Sequence, residues 1–148
     1  MADRTDESQL GAVNAGLLLL RVTIGVGLFL VFGLLKIKDA SAYLHTGKWG
    51  FIDFNRQVGL PLPTLIAWVQ TINEVLGSLF VAVGLLGRYA ATLLTIGFIA
   101  ATACSLKMNE PSWMTAAFFA AVFAALALTG PGKFSVDYVV AKMRRSKV

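Results

Sequence analysis

Between residues 11 and 35 the chain reads GAVNAGLLLLRVTIGVGLFLVFGLL, an apolar run broken by a single charge, Arg21. At 1.5 Å per helical residue it reaches roughly 38 Å, more than the about 30 Å of a bilayer's hydrocarbon core. A run of this kind commits a chain to lipid, and composition agrees. Of 148 residues, 57% are hydrophobic and 14% charged, against about 45–50% apolar and about 25% charged in a soluble domain. No linker, low-complexity tract or charge block divides the chain, so residues 1–148 read as one all-α membrane domain. The first ten residues are polar and acidic and lack the basic start and small-residue cleavage site of a secretory signal, so the first run is expected to remain in the mature protein.

Four transmembrane helices are expected. The first covers 11–35 and ends at Lys36 and Lys38, whose long stems can snorkel. The second, 62–86, opens at Leu60-Pro61-Leu62-Pro63, where proline suits a first turn. Gly87 and Arg88 separate it from the third, 89–106, and so short a link makes the two antiparallel neighbours. The fourth, 112–128, is closed by Gly130-Pro131-Gly132, and 133–148 forms a polar, basic tail. Trp68 and Trp113 suit interfacial anchors. Small residues at four-residue spacing, Gly97, Ala101 and Ser105 and then Ala117, Ala121 and Ala125, would let helix backbones approach; the same stripes suit a homo-oligomer, a matter left open at this stage.

The formal net charge is +5, but the basic residues sit at the ends of apolar runs and are not interleaved with aromatics on a polar face. They read as topology signals and lipid contacts, with no nucleic-acid partner. Arg4, Arg88, Lys133, Lys142, Arg144, Arg145 and Lys147 fall on the side of the termini, and Lys36, Lys38, Lys48, Arg56 and Lys107 on the other. The positive-inside rule then makes both termini cytoplasmic and turns the 36–61 connection outward. Trp49, Phe51, Ile52, Phe54, Val58 and Leu60 make that connection too apolar to float free. Its 51–58 stretch reads as an interfacial segment capping the bundle, with Asp53, Arg56 and Gln57 on its polar side.

One cysteine, Cys104, and one histidine, His45, rule out a disulfide framework, a CxxC pair, a bis-histidine haem or a multi-ligand metal site within one chain. No glycine-rich phosphate loop follows a strand, so ATP-driven work is not encoded. Cys104 reads as a packing residue, and Tyr43 and Tyr89 as interfacial. Phe118, Phe119 and Phe123 can face lipid or an apolar ligand.

The residues that need explaining are polar ones inside the spans. Arg21 and Glu74 stand near the middle of the first and second runs, and each unpaired charge there costs about 2.5–3.5 kcal/mol on an insertion scale. They are expected to pair. Gln70, Asn73 and Glu74 share one helix face at i, i+3 and i+4, with Gly77 following, while Asn14, Arg21 and Gly25 form a stripe on the first helix. Two such stripes at matching depth outline a cavity. Such a cluster either locks the helices in register or borders a site for a polar headgroup, with Arg21 as permanent donor and Glu74 as proton carrier.

The order of four separated signatures resembles the DoxX family of small bacterial inner-membrane proteins, from about Leu17 to Asp137. They are LLLLRVTIGVGLFLVFGLLK (Arg21, Gly25, Gly33, Lys36), GLPLP (Gly59 to Pro63), NEVLGSLFVAVGLLGRYAA (Glu74, Gly77, Gly84, Arg88) and GPGKFSVD (Gly130 to Asp137). The resemblance implies a four-helix bundle related to DoxD, the membrane subunit of thiosulfate:quinone oxidoreductase, with soluble redox or sulfur-metabolism enzymes as partners. Two functions follow as expectations. One is a quinone-linked redox subunit, not catalytic alone, holding the headgroup with Arg21, Gln70, Asn73 and Glu74, supported by Asn14, Gly25, Lys36 and Gly77. The other is a non-enzymatic module that binds or moves a lipid or small apolar molecule, or scaffolds soluble enzymes through its basic tail.

Overall fold

The computed structural model describes residues 2–146, with side chains from residue 9 onward. Arg4 and Lys147, two of the charges counted on the terminal side, have no described side chain. All regular elements are helical. The chain begins with α1 (Ala2–Leu28), a π-helical turn (Phe29–Gly33) and α2 (Leu34–Thr46), which run on without a break. There follow α3 (Gly50–Val58), α4 (Pro63–Val83), α5 (Gly87–Lys107), α6 (Trp113–Thr129) and α7 (Val136–Arg145). Three segments are long and apolar enough to cross a membrane, Gln9–Thr46, Pro63–Val83 and Gly87–Lys107, and Trp113–Thr129 is a shorter apolar helix.

The first helix does not end at Lys36 and Lys38. A lysine is a good helix former, and the first true breaker is Gly47, in the left-handed region at φ 67°, whose N–H closes the helix on Tyr43 O at 2.8 Å. Gln9–Thr46 comprises 38 residues, about 57 Å at 1.5 Å each and nearly twice a hydrocarbon core. The π-turn within it adds a residue to one turn. Arg21, Gly25 and Leu28 face inward at ordinary spacing; the next buried positions are Gly33, five residues on, and Ala40. Lys36, eleven residues and about three turns after Gly25, also falls on the inner side.

Helices α1 and α4 pack antiparallel at close range. A Cβ at residue 25 would lie 2.6 Å from Ser78 O and 2.9 Å from Ala82 N, and one at residue 33 would lie 3.7 Å from Val75 Cγ2. In lipid the surroundings are as apolar as leucine, so helix association rests on such van der Waals contact and on polar links. The common core is formed by Leu28, Val81, Ala91, Leu94, Phe98, Phe123 and Leu126. Phe98 and Phe123 stack with centroids 5.8 Å apart. Exposed Leu19, Val69, Ile96 and Phe118 give the outside an apolar coat suited to acyl chains.

The small-residue stripe of the fourth helix faces largely outward and does not serve packing within the bundle. Ala116, Ala120, Phe123 and Leu126 are buried, whereas Ala121 and Ala125 are exposed, because a run of alanines carries no polar side to fix its rotation. Trp68 is not a lone membrane anchor; it packs on Trp49, centroids 5.2 Å apart, in an aromatic cluster with Tyr43. Trp113 is partly exposed near the start of α6, as an anchor should be.

The expected capping segment is α3. Ile52, Asn55 and Val58 turn inward, while Asp53 and Arg56 pair at 2.8 Å on the exposed side. Two left-handed glycines, Gly47 and Gly59, stand at the helix ends before and after it. Asn55 Nδ2 donates to Pro63 O at 3.1 Å, and Lys107 Nζ donates to Val58 O at 2.6 Å. These bonds fasten α3 to α4 and α5. The basic tail also forms a helix, α7, capped by the Ser135 hydroxyl, which accepts from Tyr138 N–H at 3.2 Å.

Candidate functional site

The polar residues gather in two places, not one. Arg21 and Glu74 do not pair. Arg21 lies level with Gly84, ten residues along α4 from Glu74 and so about 15 Å away along the axis. The expected match of depths rested on ending the first helix at residue 35, which placed its midpoint too close to Arg21.

At the Arg21 end, the chain closes on itself. The buried guanidinium donates through Nη1 to Pro131 O at 2.5 Å and through Nη2 to Phe134 O. Asp137 receives Leu86 N–H on Oδ1 and Gly87 N–H on Oδ2, both at 2.8 Å, and its own N–H donates to Gly84 O at 3.0 Å. Asn14 Oδ1 accepts Lys133 N–H at 2.9 Å. Gly84 is required here twice over. It ends α4 in the left-handed region at φ 71°, and a Cβ on it would lie 2.6 Å from Ser135 Cβ. Arg21 and Asn14 thus bind backbone of the GPGKFSVD segment, and Gly25 serves helix packing; none of the three lines the cavity described next.

At the other end, Glu74 is buried at 4% exposure and its Oε1 accepts from Lys36 Nζ at 2.6 Å and from Gln70 Nε2 at 2.8 Å. Lys36 Nζ also sits 4.5 Å above the Phe51 ring of α3, a cation–π contact. Lys36 was named as a supporting residue and is the partner of Glu74. Its basic character suits a helix end, but the helix continues to Thr46, and Lys36, eleven residues and about three turns after Gly25, lies on the inner side.

These three side chains border a cavity of about 410 Å³, within the size range of small-molecule sites. Phe32, Phe98 and Phe119 form aromatic wall, Phe51, Phe54 and Leu60 close the α3 end, and Gly97, Ala101, Cys104 and Ser105 of α5 line one side. The α5 small-residue stripe therefore opens space for the cavity. Gly97 leaves room for the amides: a Cβ there would meet Gln70 Oε1 at 2.6 Å and Asn73 Nδ2 at 2.8 Å. Asn73 donates to Leu93 O at 3.0 Å, and Gly77 accommodates Leu94, 3.0 Å from where its Cβ would be. Both tie α4 to α5 behind the cavity. Phe123 is core, Phe118 faces outward and Phe119 alone of the three lines the cavity. His45 is exposed in the last turn of α2.

The fold and this cavity define a multi-pass membrane protein with a mostly apolar chamber holding one internal ion pair. The family model for DoxX matches residues 16–106, more than half of the chain, and the protein belongs to the DoxX family. No curated protein and no solved structure matches it.

Proposed function

We propose that the chamber receives the ring of a lipid-soluble quinone and that the chain is the membrane subunit of a redox complex. The observation that carries this reading is the juxtaposition of aromatic wall, Phe32, Phe98 and Phe119, with buried Glu74 and its partners Lys36 and Gln70 on one 410 Å³ cavity. Phe98 and Phe119 stack with centroids 5.1 Å apart, a surface on which a flat ring can lie. Lys36 and Gln70 are donors suited to a quinone carbonyl, and Glu74, which accepts from both, is the group that would relay the ring's proton.

Reduction of a quinone to a quinol takes two electrons and two protons. The side chains named here supply hydrogen bonds and a proton route, and the electrons must come from a partner, a soluble redox or sulfur-metabolism enzyme reaching the α3 end. In this reading the protein lies in a bacterial inner membrane with four crossings and both termini cytoplasmic, so that the chamber belongs to the outer half. The competing reading, a non-enzymatic module that binds or moves a lipid or small apolar molecule, draws on the same apolar wall.

The test is mass spectrometry of small molecules retained on protein gently extracted from its native membrane, for wild type and Glu74→Gln. A quinone retained by wild type and lost from a folded Glu74→Gln supports the proposal. Ordinary phospholipid alone in both overturns it and favours the lipid-binding reading.

A further inference from the structure

Helix α7 leaves an apolar face uncovered at the Arg21 end of the bundle. Val136, Val139, Val140 and Met143 recur at i, i+3, i+4 and i+7, the spacing of one helical face, and Val139 and Met143 are 52% and 53% exposed. Asp137 lies off that stripe, and its carboxylate is consumed by Leu86 and Gly87 N–H. The pin thus holds the first turn of α7 against the α4–α5 link without using the apolar face. In the last turn Lys142 and Arg144 border the stripe on its two sides and Arg145 lies opposite, and Lys133 precedes the helix. Asp137 is the one acidic residue from Gly130 onward.

We infer that α7 is a surface anchor that takes anionic phospholipid, its apolar stripe at the acyl boundary and its basic side chains among headgroup phosphates. The proposal does not depend on what occupies the chamber. Three observations favour a lipid surface over a protein partner. The clasp fixes α7 to the ends of membrane-crossing helices, so lipid is its immediate neighbour. Leu86, Tyr89, Leu128 and Phe134 are exposed at the same end and continue the apolar rim. The last turn is basic, with the segment's single acid already engaged, which matches the negative charge of an anionic leaflet.

The experiment is hydrogen–deuterium exchange on the full chain in nanodiscs of phosphatidylcholine alone and of phosphatidylcholine with phosphatidylglycerol. A ten-residue helix held only at its start frays when free. The α7 amides should therefore exchange at least about tenfold more slowly in the anionic discs, since each basic group near such a surface contributes roughly a fivefold factor. The difference should shrink at about 0.5 M salt. Combined Lys142→Gln, Arg144→Gln and Arg145→Gln should remove the dependence on lipid charge, and Val139→Ser with Met143→Ser should remove the protection itself. Unchanged exchange in α4 reports that the bundle is intact. Equal α7 rates in the two compositions, or slowing that appears only when a soluble protein fraction is added, would overturn the proposal.

Discussion

Lys36 Nζ stands 2.6 Å from Glu74 Oε1, and the ammonium is shared between that carboxylate and the Phe51 ring of α3. One side chain therefore neutralises a buried acid and touches the segment that closes the chamber. Removing it affects both.

Lys36→Met leaves the Glu74 carboxylate with Gln70 alone. Breaking a buried pair from one side typically destabilises by about 3–5 kcal/mol, whereas replacing both partners with apolar groups is often neutral. The single variant should lose about that much in a mixed-micelle unfolding titration, and Lys36→Met with Glu74→Met should recover most of it. A single variant as stable as wild type would show that the pair contributes nothing to the fold.

Two glycines of α1 should respond in opposite senses. At Gly25 a methyl group meets backbone, Ser78 O at 2.6 Å, so Gly25→Ala must part α1 from α4 and is expected to lose about 1–3 kcal/mol. At Gly27 nothing lies within 4 Å, and Gly27→Ala should gain up to about 1 kcal/mol from helix propensity. Thermal unfolding of the two proteins side by side decides this.

Gly97→Val enlarges the α5 side of the chamber's wall inward. The side chain meets the ends of the Gln70 and Asn73 side chains rather than backbone, so the fold should hold while the cavity shrinks. Maleimide labelling of Cys104, which lines the same cavity, should slow by about an order of magnitude as access is lost. Labelling at the wild-type rate would mean that the reagent reaches Cys104 by another route.

Asp137→Asn converts one of two acceptors into a donor that faces a backbone N–H. The loss of one charge-assisted bond and the unsatisfied donor left behind should destabilise the clasp by about 1–3 kcal/mol. Proteolysis between Pro131 and Ser146 should accelerate while the bundle stays resistant. An unaltered cleavage rate would show that Arg21 and Ser135 hold α7 without it.

The sequence announces the bundle through its apolar runs because lipid imposes length and continuity on every span. The starts and ends of α4, α5 and α6 agree within about three residues because Pro63, Gly84, Gly87 and Gly130 punctuate them chemically. The α3 cap was visible for a similar reason, its apolar and polar residues alternating at helical spacing. What failed was depth. Arg21 and Glu74 each look central in their runs, yet the first run continues as helix through Lys36 and Lys38, and α7 hides in a tail whose stripe is short. Gln70 and Glu74 line the cavity on the one helix face their spacing gives, whereas Asn73, expected to bind the ligand with them, bonds Leu93 O behind it. Asn14, Arg21 and the GPGKFSVD segment form one clasp, but contacts from carbonyl oxygen to guanidinium leave no trace in residue type.

The Phe29–Gly33 turn has a consequence for how this protein can vary. Deleting any one residue there would restore the regular pitch and swing everything from Leu34 to Thr46 by about 100°. Net charge would stay the same, since Phe29 to Gly33 carries no titratable group. Ala40, now buried, would leave the inner face, and Lys36 would be carried about 100° around the helix from its place beside Glu74. The rotational setting of Lys36 and Ala40 is thus held by a tally of positions in an uncharged stretch, and a gap of one in that stretch is a heavier change than most substitutions within it.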